Sequence, residues 1–274
     1  MAKKKTAAGL FKLKPGKSVS LTDDGAAQEP LLSGDDDRDK LRLTKLATEI
    51  DRLQDLLWSN QSRRLLLVLQ GTDTSGKDGT ARFVFAHTSP LGVRIAAFKA
   101  PTEEERAHDY LWRVHQVVPR AGEIVIFNRS HYEDVLVPWV NRWIDKDELK
   151  RRYAHLNAFE KLLHDTGTTV LKVMLHISFD EQRERLQERI DDSSKHWKFS
   201  LGDIETRKQW PEFQRAYEKM LQATSTDIAP WHIVPADSKT HRNIAIAELV
   251  IDALTAMKLK KTKANPALKD LVIE

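Results

Sequence analysis

The feature that most constrains this chain is the stretch Leu65-Leu66-Leu67-Val68-Leu69-Gln70-Gly71-Thr72-Asp73-Thr74-Ser75-Gly76-Lys77-Asp78-Gly79-Thr80. Its Leu and Val run reads as one short buried strand, the glycine-bounded segment as a loop, and the pattern from Lys77 onward as a helix. Gly71 and Gly76 stand at the GxxxxGK spacing. That spacing lets backbone N–H groups turn inward around an anion, while Lys77 reaches toward terminal phosphates and the helix points its positive end at them. Phosphate contacts are therefore expected at Gly71, Thr74, Ser75, Gly76, Gly79 and Thr80. The strand before and the helix after supply context that a bare glycine-rich turn lacks. The usual loop places Ser or Thr after the lysine as a magnesium ligand, but here Asp78 stands there and Asp73 lies inside the loop. Two carboxylates would only add repulsion to a metal-free anion site. Asp73 and Asp78 are accordingly read as ligands of Mg2+, or of Mn2+, which accepts the same hard oxygen donors, or as orienters of the metal's waters.

With 274 residues, 41% of them hydrophobic, the chain can bury a large core, and one domain is expected. The 44 basic and 40 acidic residues leave a net charge of only +4, so specific nucleic-acid binding over a uniformly positive surface is not implied. The lack of cysteine excludes disulfides, thiolate catalysis and zinc–thiolate sites. No apolar run approaches bilayer length and Met-Ala-Lys-Lys-Lys lacks a signal-peptide core, so a cytoplasmic protein without membrane attachment is expected.

Residues 1–36 mix Lys, Gly, Ser and Asp without period and read as a flexible, mobile or draped arm; its Lys3, Lys4, Lys5, Lys12, Lys14 and Lys17 suit either a solvated tail or a polyanion contact. From Asp39, apolar residues at helical spacing predict a helix ending before the central strand. A second strand is predicted at 94–98, then a helix capped by Thr102 with Glu105 and running through Trp112. A strand follows at 123–130, helix over 147–166, strand at 169–177 and helix over 180–190. The polar and aromatic stretch 191–200 reads as a lid, placed over about 190–210 with its flanks, and helix is predicted from 203 to 223. A short strand at 231–234 and a helix over 242–257 complete the chain. Strands alternating with helices argue for an α/β fold with a central parallel sheet flanked by helices, its ligand edge at the strand C-termini, which would put Asn128 and Arg129 beside the loop. The cations Arg185, Arg189, Lys195 and Lys198 are candidates to complete a cage as the lid closes, and Arg189, Lys195 and Lys198, with Arg82 at the loop's flank, to line a polyanion track; the alternative for the four near the lid is a solvated helix face salt-bridged to neighbouring acids. Glu133 and Asp134 suit either helix capping or a nucleotide site. Trp112, Trp139, Trp143 and Trp210 are read as core or subunit contacts.

The loop 71–80, Phe127-Asn128-Arg129-Ser130-His131-Tyr132-Glu133-Asp134-Val135-Leu136, Lys195-His196-Trp197-Lys198 and Ala229-Pro230-Trp231-His232-Ile233-Val234-Pro235-Ala236 together resemble the polyphosphate kinase 2 family, over roughly residues 40 to 258. The resemblance implies a P-loop kinase-like three-layer fold with a helical lid, related to thymidylate kinase, and reversible phosphoryl transfer between inorganic polyphosphate and adenine or guanine nucleotides (AMP, ADP, GMP, GDP) with magnesium. By the same likeness Asp73, Lys77 and Asp78 act at the transferring phosphate, and Arg129 binds phosphates. Many members carry Asp before that arginine and Trp-Tyr-Asn-Arg after the serine, whereas here stand Asn128 and His131-Tyr132-Glu133-Asp134. This variant is similar to the subgroup that phosphorylates both nucleoside mono- and diphosphates; Asn128, with Glu133 and Asp134 or one of them, is the candidate nucleotide contact. A homo-oligomer, dimer or tetramer, is expected. The rival readings are an ATP-dependent nucleoside monophosphate kinase, which shares loop and lid, and a non-catalytic nucleotide- or polyanion-binding module.

Overall fold

The computed structural model describes residues 6–260 and residue 269. In chain order they form α1 (Ala7–Phe11), α2 (Asp23–Ala26), α3 (Asp36–Asn60), β1 (Arg64–Gln70), α4 (Lys77–Val84), β2 (Val93–Ala97), α5 (Glu103–Ala107), α6 (Trp112–His115), β3 (Ile124–Asn128), α7 (Glu133–Val140), α8 (Lys146–Asp165) and β4 (Thr168–His176). The second part continues with α9 (Phe179–Asp191), a 3-10 turn (Ser193–Lys198), α10 (Leu201–Lys208), α11 (Trp210–Thr224), β5 (Trp231–Pro235) and α12 (Lys239–Ala256).

The strands form one five-stranded parallel sheet in the order β2-β3-β1-β4-β5. β1 is central and apolar on both faces, as a strand covered from both sides must be. Side chains alternate across a strand. Leu65, Leu67 and Leu69 therefore join Ile50, Val84 and Ile246 in the core beneath α3, α4 and α12, while Leu66 and Val68 join Leu136, Leu156 and Met220 beneath α7, α8 and α11. The result is a three-layer α/β fold. Leu69 pairs with both Asn128 and Val173, and Ala97 pairs with Asn128, so the loop after β1 lies beside the segments that leave β2 and β3. No helix among the described residues is long and apolar enough to cross a membrane.

Several expectations need correction. Residues 6–36 are not a free arm. Ala7, Phe11, Leu13, Ala26 and Leu31 are buried, Leu13 N donates to Trp231 O at 2.8 Å, and Leu21 N donates to Glu218 Oε1 at 2.8 Å. These few apolar anchors, scattered among lysines, leave no periodic signal. Lys3, Lys4 and Lys5 lie outside the described residues. The helix expected through Trp112 breaks after Ala107: the capping box of Thr102 and Glu105 forms, but Asp109 Oδ1 accepts a bond from Leu111 N at 2.9 Å, a local turn that competes with the helical ladder. The helix expected over 203–223 is two, parted at Gln209, because Pro211 has no N–H to give to a continuing ladder. The lid stretch is ordered by caps rather than by periodicity: Asp192 Oδ1 accepts from Ser194 N at 3.0 Å, and Ser200 forms a capping box with Asp203.

Candidate functional site

The loop between β1 and α4 closes on Lys77. Its Nζ donates to Gly71 O at 2.7 Å, Thr72 O at 2.9 Å and Ser75 Oγ at 3.4 Å, which ties the ammonium to the loop it serves. Burial, reinforced by the nearby Arg129 charge, pulls the Lys77 ammonium down to about 8, although Asp73, Glu133 and Asp78 partly offset this. Gly76 has φ +97°, and a Cβ there would stand 1.9 Å from Nη1 of Arg242, so both the backbone angle and the space require glycine. Thr74 is held at φ +63° and Arg129 at φ +61°, a region costly for residues with a side chain. The hydroxyls of Thr72, Thr74 and Thr80 are buried with no hydrogen-bond partner among the described residues. Strained backbone and unspent hydrogen-bonding capacity thus coincide at this loop.

From the end of β3, Asn128 Nδ2 donates to Asp78 Oδ1 and the Arg129 guanidinium pairs with Asp73 Oδ1. Arg129 also bonds Glu133 Oε2 at 3.3 Å, and Glu133 is fixed in turn by Gln70 Nε2. Burial works against the Arg129 charge, but Glu133 and Asp73 override it and the guanidinium holds its proton more tightly than a free arginine. Asp134 turns to Arg113 at 3.1 Å, and its carboxyl is raised above the ordinary range because burial outweighs that pairing.

Three cavities converge on Arg129. The first, about 680 Å³, lies between the loop and the lid and is lined by Asp73, Thr74, Gly76, Lys77, Asp78, Gly79 and Asn128, with the cations Lys99, Arg185, Arg189, Lys195, Lys198 and Lys239 around it. The second, also about 680 Å³, opens between the segment after β2 and α7; Pro101, Val137, Pro138 and Trp143 give it an apolar wall, and Arg106, Arg113, Glu133 and Asp134 its polar groups. The third, about 280 Å³, lies under α10 and is lined by Gly71, Thr72, Asp203 and Tyr217 among others. Around the first cavity the lid cations are partly engaged: Arg189 donates to Lys198 O at 3.0 Å, Lys195 pairs with Glu188 at 2.7 Å, and Lys198 Nζ sits 4.9 Å from the centre of the Trp197 ring.

Asp73 and Asp78 each meet a protein donor through Oδ1, and no donor among the described residues takes their Oδ2 atoms. No group of three or more His, Asp or Glu side chains able to hold a metal occurs among the described residues. Two carboxylates beside this GxxxxGK loop nonetheless fit Mg2+, which usually takes one or two protein carboxylates and fills its remaining positions with substrate oxygens and water.

Other residues named from sequence stand apart from these cavities. Ser75 and Thr80 are fully buried and line none of them, and their backbone N–H groups are already bonded, Ser75 N to Thr72 O at 3.3 Å and Thr80 N to Gly76 O at 2.8 Å, so the expected phosphate contacts at these two residues are not brought to a cavity. Arg82 is exposed, 5.9 Å from the Phe83 ring centre and away from the track proposed for it. Arg185 is buried, held by Glu181, Thr74 O and Ala236 O, and works as a brace between loop and sheet as well as a cavity wall. Trp143 is 70% exposed and lines the second cavity, so it is not a core residue. Lys99 and Lys239 were missed by sequence reasoning; both follow strand C-termini, where an α/β sheet carries its ligands, and that position was the available signal. Arg113 and Arg242 gave none.

A family model, Polyphosphate kinase 2 (PPK2), matches residues 33–262. The chain is 48% identical over 232 residues to an AMP/ADP-polyphosphate phosphotransferase of Meiothermus ruber, covering 85% of this chain and 87% of that one. It is 31% identical over 231 residues to a GDP-polyphosphate phosphotransferase of Mycobacterium tuberculosis, covering 84% and 78%. The crystal structure of a polyphosphate kinase 2 from Arthrobacter aurescens TC1 superposes with a TM-score of 0.90 at 42% identity, covering 98% of this chain and 94% of that chain. Loop, strand end, lid and these likenesses agree: the chain belongs to the polyphosphate kinase 2 family.

Proposed function

We propose that this protein is a polyphosphate:nucleotide phosphotransferase that moves the terminal phosphoryl group of inorganic polyphosphate to AMP or ADP, with GMP and GDP as further acceptors, and runs the reaction in reverse. The observation that carries this reading is that two cavities of unlike chemistry meet at Arg129. A cation-lined cavity suits a donor with repeated charge and no base. A cavity with a Trp143 and proline wall suits an acceptor that has one.

Phosphoryl transfer needs positioning and neutralisation of charge on the moving group rather than a covalent nucleophile. The loop N–H groups, the N-terminus of α4 and Lys77 hold the donor's terminal phosphate, and Arg129 contacts it from the acceptor side. Glu133 keeps Arg129 in that orientation. The acceptor's terminal phosphate oxygen is already ionised near neutral pH, so it attacks without a general base. A new P–O bond forms as the bridging P–O bond of the donor breaks, and the electron pair stays with the shortened chain. Asp73 and Asp78 would hold Mg2+, which supplies neutralising charge at the phosphates. The lid residues 190–210 exclude water, which would otherwise compete as acceptor.

The deciding experiment pairs polyphosphate or ATP as donor with AMP, ADP, GMP or GDP, with and without Mg2+. Transfer from polyphosphate to AMP and ADP, lost on chelation and restored by Mg2+ or Mn2+, is the expected result. Turnover of ATP plus AMP with polyphosphate inert would make the protein a nucleoside monophosphate kinase instead.

A further inference from the structure

Arg242, in the first turn of α12, is 2% exposed and lies under the phosphate loop: a Cβ on Gly76 would stand 1.9 Å from its Nη1, and one on Gly79 3.4 Å from its Nη2. Its donors reach neutral acceptors, with Nε and Nη2 bonding Asn243 Oδ1 at 3.2 and 3.0 Å and Nη1 reaching Ser75 O at 3.5 Å. No carboxylate among the described residues pairs with it. The charge that acts on it is that of Arg185, which has its own carboxylate in Glu181 at 2.7 Å. Burial, deepened by Arg185, pulls the Arg242 guanidinium down to about 9, which still leaves it charged at neutral pH. A desolvated charge without a counter-ion costs the folded state free energy. Here it stands behind the N-terminus of α4, and its field adds to the helix dipole at the amides that face the first cavity.

We propose that Arg242 is a positioning residue whose unpaired charge raises the affinity of the loop for a polyphosphate chain from beneath, through the backbone of Ser75 and Gly76, so that the bound phosphates complete its ion pairing. This rests on the loop being the phosphate site. The free protein carries a charge that destabilises it, and the ligand relieves that charge on binding.

The test exploits the opposite signs of those two statements. Asn243→Asp is nearly isosteric and places a carboxylate on the oxygen that Arg242 already bonds. It is expected to raise the melting temperature of the free protein, to weaken binding of tripolyphosphate in calorimetry by roughly tenfold, a usual size for coupling between sites that do not touch, and to raise KM for polyphosphate with kcat largely kept. Arg242→Met is expected to weaken tripolyphosphate binding likewise, and Arg242→Lys to restore most of it. Because the guanidinium is buried, the affinity defect should persist as salt is raised. Asn243→Asp with lowered stability or unaltered tripolyphosphate affinity would overturn the proposal, as would Arg242→Met that melts earlier yet binds as the parent does. Failure of the unmodified protein to bind tripolyphosphate would instead overturn the assignment of the loop as a phosphate site.

Discussion

Lys172 in β4 and Arg242 in α12 are both cations withdrawn from water, but their surroundings are opposite. Lys172 is fully buried and donates to Glu160 Oε2 at 2.7 Å, Tyr132 Oη at 2.9 Å and Thr224 O at 2.6 Å, while the other oxygen of Glu160 meets Tyr132 Oη at 2.7 Å and His131 Nε2 at 3.2 Å. Despite burial, Lys172 and His131 hold the Glu160 carboxyl below the usual carboxylate range. This network grips His131 and Tyr132, in the turn that follows Arg129. Arg242 has no such counter-charge. A cation whose partner is built into the chain fixes shape, whereas one without a partner biases the protein toward an anion supplied from outside.

The largest effect expected on this comparison comes from Lys172→Met, which strands Glu160 in the core. Urea unfolding should show a loss of about 3–5 kcal/mol, the range for breaking a buried pair from one side. Adding Glu160→Leu should recover most of it, since an apolar pair of similar volume is often neutral. If the single and double variants unfolded alike, the network would not be the self-contained unit described.

Lys77 tests the ligand side of the comparison. Lys77→Ala should remove about 3–4 kcal/mol of transition-state stabilisation, read as kcat/KM, with no loss of melting temperature. The same residue sets a pH signature. Because its value falls from 10.5 to about 8 in the folded protein, the strain of burying the charge is full below pH 8 and is relieved between 8 and 10.5, so this group's contribution to stability rises with pH over that window. Activity runs the other way: kcat/KM should decline above about pH 8, and the limb in kcat should lie higher because bound phosphates favour the protonated amine. A kcat/KM profile flat to pH 9.5 would remove Lys77 from the chemistry.

The smallest effect is expected at the rim. Lys198→Glu should raise KM for polyphosphate a few-fold, consistent with the ~1 kcal/mol or less of an exposed ion pair, and added salt should narrow the difference from the parent by screening. A defect in nucleotide KM with polyphosphate kinetics untouched would assign this part of the lid to the acceptor.

How much of this was legible in the sequence depends on how far apart the cooperating residues stand. The loop, the apolar strand before it and Asn128-Arg129 at the end of β3 are local signals: glycine spacing, a run buried on both sheet faces and the strand-end rule each act within about ten residues. Lys99 obeyed the same rule and was readable. Arg242 was not, because its meaning comes from Ser75 and Gly76, and the contact with Ser75 spans 167 positions. The anchors Phe11 and Leu13 were hidden for the same reason. Where local chemistry did compete with periodicity, at Asp109 and Pro211, the helices broke at residues that carry the cause in plain view.

The segment around Lys12 has a consequence of its own. β5 is an outer strand, and outer strands offer unpaired N–H and C=O groups to any passing chain. Lys12 forms an isolated antiparallel bridge with His232, and Leu13 N bonds Trp231 O, so this segment covers the first part of that ribbon edge. The opposite margin, β2, leaves Ile95 53% exposed. Removing the strap would leave both margins of the sheet able to template strand addition, the geometry from which intermolecular β-aggregates grow.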